Sequence, residues 1–595
     1  MGKRTLWVEA AGLCAGILLL FIFMAPAVAQ PAFEDVAPQL GLNQTGSCGG
    51  PFWVDIDGDG DQDLCRMHRF GEPSVIYRND GDHFTPMSSG IGLPQDADAG
   101  GVNPMDFDHD GDLDLFTHCY STNFELLVNE NGHYVDRTSD LGLDPRTGGR
   151  YRAWIDFNRD GWMDLLLDFS DGWKLYRNDG GQLFTDITAN TQLPNITDSY
   201  FFAESDFDLD GDVDLYLTVI GGPNRLYVND GNNAFVDRTV AAGLSGIVGN
   251  GACAWVDFNH DKYPDLLTPD GNHHGIYINN GDGTFHRLNV HGTDVPDWGD
   301  FPQGCLYGIA DFDMDGDQDI YVCRPGGCGM GQAPNQFLRQ DSINATDIWF
   351  TDMAPRLGMD FLEDGYPCVV DYDGDGDMDL YIASQDQPDH LFRNNLNSTV
   401  NRLEVKVLGP NGEQDKWLTR VEVYPHGGQS AITASELNSS NVSRNGFKNY
   451  LVLDENGHYD LRIYFASGAV MTPDVYPQLS DVVPSQINHL LTVYQGQMAG
   501  TPEGSKLAKD FRLDAVYPNP FNSTATIRYS LPASEYVRLG VYDVLGRHVN
   551  DLVNGSVSAG EHNMSWNASG VSSGIYFLRL QAGRQVAQQK ALLLK

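Results

Sequence analysis

The stretch DIDGDGDQDL, from Asp55 to Leu64, decides the fold because the same phrase returns six more times. It reads DFDHDGDLDL from Asp106, DFNRDGWMDL from Asp156, DFDLDGDVDL from Asp206, DFNHDKYPDL from Asp257, DFDMDGDQDI from Asp311 and DYDGDGDMDL from Asp371. Successive starts lie 51, 50, 50, 51, 54 and 60 residues apart, and self-similarity at a near-constant period marks a repeat architecture. A second phrase follows each loop, as in IYRNDG at Ile76, LYRNDG at Leu175, LYVNDG at Leu226 and IYINNG at Ile276. A third pairs an aromatic with Asp two residues on: Tyr134 and Asp136, Phe184 and Asp186, Phe235 and Asp237, Phe350 and Asp352.

Each unit therefore holds about four short β-rich stretches between turn residues, the content of one propeller blade. The last unit stops at LFRNN (Leu391 to Asn395) without its aromatic phrase, and the chain supplies that phrase at its other end, from Phe33 to Val36. Pairing the two closes a ring and removes exposed sheet edges. The expected fold is all-β: a seven-bladed β-propeller over residues 30–400, then two small β-sandwich-type domains at 401–494 and 510–595, joined by a linker at 495–509.

The spacing D-x-D-x-D-G-x-x-D sets carboxylates at loop positions 1, 3, 5 and 9, with a backbone carbonyl available at 7 and a sharp turn at the glycine. Hard oxygen ligands so placed suit Ca²⁺, and the strand-like flanks set these loops apart from helix-flanked EF-hands. The candidate ligands are Asp55, Asp57, Asp59, Asp61 and Asp63 in the first loop, and Asp106, Asp108, Asp110, Asp112 and Asp114 in the second. The third offers Asp156, Asn158, Asp160, Trp162 and Asp164, and the fourth Asp206, Asp208, Asp210, Asp212 and Asp214. In the fifth they are Asp257, Asn259, Asp261, Tyr263 and Asp265. The sixth has Asp311, Asp313, Asp315, Asp317 and Asp319, and the seventh Asp371, Asp373, Asp375, Asp377 and Asp379.

Up to seven Ca²⁺ ions are expected, with dissociation constants of roughly 10⁻⁴ to 10⁻³ M as in extracellular modules. The loop at Asp257 should be weakest. Asn259 removes a charge, and Lys262 stands at the glycine position, where its backbone is disfavoured and its ammonium can compete with a cation.

The loops hold 31 of the chain's 82 acidic residues, so much of the formal charge of −45 is site chemistry. That field repels nucleic acid and anionic membranes. Residues 1–29 read as a signal peptide: Lys3 and Arg4, an apolar run from Ala10 to Met24, and Ala27-Val28-Ala29 before Gln30. No transmembrane segment is expected in the mature chain. Eight cysteines remain beyond it, and Cys48 with Cys65, Cys305 with Cys323, or Cys323 with Cys328 are all conceivable pairs in an exported protein.

On the acidic loops and the trailing L-Y-x-N-D-G phrase, residues from about 33 to 400 resemble the FG-GAP/VCBS repeat family, similar to integrin α-chain propellers. The resemblance implies calcium-stabilised recognition or adhesion. RVEVYPHGGQ (Arg420 to Gln429) with LRIYFASG (Leu461 to Gly468) resembles the ASPIC/UnbV module, with Thr419-Arg420 where that module has Gly-Ala. The last 85 residues, with YPNPFNSTATIRYSL from Tyr517, VYDVLGRHV from Val541, AGEHNMSW from Ala559, SGIYFLRL from Ser573 and the terminal Lys595, resemble the Ig-like sorting domain of type IX secretion substrates. That resemblance implies export through the type IX machinery to the surface or outside of a Gram-negative, Bacteroidetes-type cell.

The expected function is therefore non-catalytic recognition of an extracellular glycan or surface protein. A secreted carbohydrate-active enzyme and a surface-layer or filament component are the alternatives. Paired aspartates invite a glycosidase reading, but the prominent pairs are committed to repeated loops. His273-His274, Asp294, Asp297 and Asp300 break the pattern and read as solvated loop residues. Longer spacings near His291–Gly304 and Arg324–Asn335 suggest inserted loops, where Trp298 and Phe301 are candidate ligand-contacting residues.

Overall fold

The computed structural model describes most of residues 33–594; outside it lie 1–32, 294–305, 324–333, 396–401, 409–418, 437–447, 496–511, 514–523 and several shorter loop stretches. The signal-peptide reading, Trp298, Phe301, Asp294, Asp297 and Asp300 fall outside the described residues. Between Phe33 and Asn394 the described strands form seven sheets, one per acidic phrase. In the first unit Phe52–Val54, Asp63–Arg66, Val75–Asn79 and Phe84–Pro86 pair antiparallel in sequence order, and the acidic loop joins the first two strands. In the fifth-to-sixth insertion Asn289–Thr293 adds a parallel fifth strand beside Asp347–Asp352.

The ring closes as the chain ends suggest. Phe33–Asp35 pairs with His390–Asn394, setting Phe33 opposite Asn394. Elsewhere the same register sets Phe84 opposite Asn79, Phe184 opposite Asn178 and Phe285 opposite Asn279. Apolar packing reinforces the closure, because Trp53, Leu64 and Phe84 share one core with Tyr372, Tyr381 and Leu391. Beside it Arg66 Nε donates to Asp389 at 2.6 Å, with both side chains fully buried. Leaving one such partner unpaired is more costly than the pair is stabilising, so this contact fixes which units meet.

The residue at the repeated asparagine position stitches six of the seven units to their predecessors, while in the second unit the Asn129 amide donates to Leu113 of its own loop at 3.4 Å. The Asn279 side-chain amide donates to the Phe207 carbonyl of the preceding loop at 2.8 Å and to Pro264 of its own at 3.2 Å. Asn178 reaches Phe107 at 2.9 Å, Asn229 reaches Phe157 at 3.4 Å and Asn394 reaches Phe312 at 2.8 Å. Asn79 completes the circle on Tyr372, at 2.8 Å. In the sixth unit Gln340 takes this place, donating to Phe258 at 3.2 Å.

Two smaller sandwiches follow. In the middle domain Arg402–Leu408, Lys448–Val452 and Leu490–Tyr494 form one sheet. Arg420–Pro425, Thr433–Glu436, Tyr459–Tyr464 and Val470–Met471 form the other. Leu403, Val405, Val407, Val421, Val423, Leu461 and Ile463 fill the space between, as alternating strand residues should. The last domain packs Ile527, Val537, Leu539, Val541, Trp566, Leu578 and Leu580 between its two sheets. Cys65 and Cys253 are buried free thiols, and Cys323 and Cys368 are buried as well. The partners in the conceivable pairs, Cys48, Cys305 and Cys328, lie outside the described residues, and burial raises the Cys65 and Cys253 thiols far above the usual range.

Asn279→Ala strands two buried carbonyls and should cost about 2–4 kcal/mol. Asn280→Ala, at an exposed residue whose side chain bonds to Thr284 and His286 within the same hairpin, should change stability by less than about 0.5 kcal/mol. Denaturant unfolding in calcium checks both, and equal small losses would contradict the stitching role.

Candidate metal centres in the acidic loops

Each loop is tied down by its own carboxylates. In the first, the Asp59 N–H donates to Asp57 at 3.3 Å, the Asp61 N–H to Asp59 at 3.0 Å and the Gly60 N–H to Asp55 at 3.2 Å. Carboxylate oxygens of Asp55, Asp57 and Asp63 lie within 4.8 Å of one another, and so do those of Asp371, Asp373 and Asp379. The triads in three further loops are Asp106, Asp108 and Asp110; Asp206, Asp208 and Asp210; and Asp311, Asp313 and Asp315.

In the third and fifth loops the asparagine joins the turn instead. The Asp160 N–H donates to Asn158 Oδ1 at 3.0 Å, and the Asp261 N–H to Asn259 Oδ1 at 3.0 Å. Their side-chain amides donate back to Asp160 and Asp261 at 2.8 and 3.0 Å.

The position-9 aspartates are the best buried of the set. Asp63, Asp164, Asp214, Asp265, Asp319 and Asp379 are wholly inaccessible, and Asp114 nearly so. One oxygen accepts the N–H of the stitching residue: Asn79 on Asp63 at 2.7 Å, Asn178 on Asp164 at 2.8 Å, Asn279 on Asp265 at 2.8 Å, Asn394 on Asp379 at 2.8 Å. The other accepts the position-2 N–H in five loops, as with Ile56 on Asp63 at 3.0 Å and Phe258 on Asp265 at 3.0 Å.

In the second and fourth loops Oδ2 of Asp114 and Asp214 is buried with no hydrogen-bond partner, as is Oδ1 of Asp55. A buried carboxylate oxygen with no donor is costly unless a cation faces it. With hard oxygens converging in flexible turns, this donor set fits Ca²⁺.

Lys262 N–H makes the loop-closing bond to Asp257 at 2.9 Å, like the glycines, but at φ +77°, a left-handed conformation costly for a side chain. Its ammonium lies over the Tyr263 ring, 5.4 Å from the centroid. His274 also differs from its reading as a solvated residue. It lies in the strand His273–Asn279, is buried, and meets the Tyr307 hydroxyl.

One feature escaped sequence reasoning: side chains at position 4 bridge adjacent loops. Arg159 Nε sits 2.6 Å from Asp212 Oδ1, His260 Nε2 lies 3.0 Å from Asp317, and His109 stacks on Trp162 at 3.9 Å. These residues share φ near +60°. The position-7 aspartates Asp212 and Asp317 thus turn their side chains toward a neighbouring unit. The only signal for this was basic or aromatic character at a variable position.

Burial dominates the loop electrostatics. It pushes Asp63 up to about 7 and Asp114 to about 9. Asp164, Asp214, Asp265, Asp319 and Asp379 are held well above the usual carboxylate range by the same cause. A carboxyl whose value is raised in the folded state contributes stability that is complete below its unfolded value and lost as pH rises through the folded one. Metal-free protein should therefore melt higher at pH 5 than at pH 9, and calcium should narrow the gap. Equal melting temperatures at both pH values after metal removal would contradict this electrostatic picture.

Comparison with known proteins agrees with the repeats and the C-terminal domain. The FG-GAP-like repeat family matches residues 156–217 and 206–268, and the secretion system C-terminal sorting domain family matches 515–594. Cartilage acidic protein 1 of Xenopus tropicalis is 22% identical over 493 residues, covering 74% of this chain and 72% of its own length. The Mus musculus protein of that name is 27% identical over 202 residues, 32% of this chain and 30% of its own.

Among solved structures, an Agrocybe aegerita lectin that recognises non-reducing terminal N-acetylglucosamine aligns over 71% of this chain and 99% of its own. It does so at 15% identity and a TM-score of 0.35. PorZ, a surface component of the type IX secretion system of Porphyromonas gingivalis, aligns over 90% of this chain and 74% of its own, at 14% identity and a TM-score of 0.24. No helix among the described residues is long and apolar enough to cross a membrane. The chain carries FG-GAP-like repeats in a β-propeller and a type IX sorting domain that directs it to the cell surface or exterior of a Bacteroidetes-type bacterium.

Proposed function

We propose that the acidic loops bind calcium and that the ring so stabilised is a non-catalytic recognition or adhesion module for an extracellular glycan or surface protein. The observation that carries the calcium part is the convergence of three carboxylate oxygens in each of five loops, together with partnerless buried oxygens on Asp55, Asp114 and Asp214. Such clusters repel internally unless a cation is shared among them. FG-GAP repeats often bind calcium, which supports the same reading. Export to the cell surface supports a recognition role, since extracellular calcium is available there and rigid rings present loops well.

Asp, Asn and carbonyl oxygens of this chain would hold the ion, which supplies charge neutralisation and a cross-link within each loop. The middle domain is assigned to the ASPIC/UnbV type on its sequence resemblance.

Calorimetric titration of the mature chain with CaCl₂ should reveal several sites, the loop at Asp257 being the weakest. Lys262→Gly should relieve the left-handed strain, worth about 1 kcal/mol, and tighten that loop about fivefold. Loss of affinity on this substitution would show that Lys262 supports the site. Binding and turnover measured together on a panel of polysaccharides test the recognition part: retention without cleavage is expected, and product release would favour an enzyme.

A further inference from the structure

The middle domain reaches back to the acidic loops at three places. Arg402 Nη1 lies 3.2 Å from Asp371 Oδ2, and its Nη2 donates to the Gly374 carbonyl at 3.4 Å. Lys406 Nζ lies 3.8 Å from Asp55 Oδ2, and Arg420 Nη1 lies 3.5 Å from Asp206 Oδ2. The three acceptors share one role, since each is the first aspartate of its loop. The loops they open are the seventh, first and fourth, and each carries five aspartates.

The fold of the middle domain makes these cations available. Leu403, Val405 and Val407 turn into its core, which leaves Arg402 and Lys406 on the opposite face of the same strand. Arg420 opens the strand that sends Val421 and Val423 inward, and it rests on the Tyr464 ring at 4.4 Å. It is also one of the two residues that depart from the ASPIC/UnbV pattern. Water is largely excluded from the contacts: the Arg402, Lys406 and Arg420 side chains are 13%, 22% and 5% exposed, and Asp371, Asp55 and Asp206 are 2%, 6% and 15% exposed.

Each contact places a tethered cation on a carboxylate that the calcium reading assigns to a metal. Two cations drawn to one carboxylate attract it separately and repel each other, more strongly where water is excluded. Coupling between two binding events is reciprocal, so whatever weakens one by a given factor weakens the other equally. We propose that seating of the middle domain and calcium binding at the loops of Asp55, Asp206 and Asp371 are antagonistic. At low calcium Arg402, Lys406 and Arg420 clamp the domain onto the propeller, and calcium entering these loops releases it. This rests on the calcium reading of the loops.

The test uses the full chain, with CaCl₂ as the only ligand. Wild type is compared with the triple variant Arg402→Gln/Lys406→Gln/Arg420→Gln. Spin labels at Val240→Cys and Val470→Cys, both on exposed residues, report the distance between propeller and middle domain. Three sites should bind calcium on the order of fivefold more tightly in the variant. The wild-type distance distribution should broaden as calcium is added, and that of the variant should be broad from the start.

An isotherm unchanged by the substitutions, or a wild-type distance that stays fixed or sharpens with calcium, overturns the proposal. Should the triple variant fail to fold, Lys406→Gln alone, at the most exposed of the three cations, should tighten one site; an unchanged site there overturns the proposal as well. Absence of calcium binding in wild type and variant alike would instead sink the calcium reading, and the coupling with it.

Discussion

A buried aspartate at the end of every acidic loop is the constraint on which the rest of this molecule depends. Asp63, Asp164, Asp265 and Asp379 each hold two backbone N–H groups, one from the start of the loop and one from the third strand of the unit. The residue whose N–H is held is the asparagine that reaches the preceding loop with its side chain. Loop shape, blade register and contact between blades therefore meet at one carboxylate. A charged group so deeply buried needs compensation; backbone donors supply part of it, and under the proposed calcium reading a divalent cation would supply the rest without burying a basic side chain in every blade.

The loops and the contacts between blades therefore share carboxylates. A ligand bound only by the native state stabilises it in proportion to its occupancy, and here a cation would act on the same carboxylates that order the blades. The closure contacts follow the same rule with different chemistry. Asn79 donates to Tyr372 as its counterparts do, while the buried Arg66–Asp389 pair serves only the junction of the first and last units. A generic stitch sets the blades side by side, and a specific ion pair identifies the ends.

Much of this was legible in the sequence, for a physical reason: alternating carboxylates and a turn glycine have few uses other than a tight oxygen-rich loop. The missing aromatic phrase of the last unit and its presence at Phe33 were enough to foresee the strand exchange. The role of the repeated asparagine was not legible, because its partner is a backbone carbonyl some 70 to 80 residues earlier in the chain, and carbonyls leave no compositional trace. The same holds for Arg159 and His260, whose partners Asp212 and Asp317 sit one unit on. His274 was misread because a polar residue beside a glycine looks like a loop until Tyr307 is brought against it. The fifth strand Asn289–Thr293 pairs in parallel, and such pairing has no local turn to announce it.

The central claim is that the buried aspartates couple the proposed cation sites to the contact between blades. Amide hydrogen exchange at Asn79, Asn178, Asn229, Asn279 and Asn394, measured in calcium and again after chelation, tests it most directly. The account predicts that chelation speeds exchange at these amides well beyond the change in the C-terminal sandwich, and that restored calcium reverses it. Protection that is the same in both conditions would contradict it.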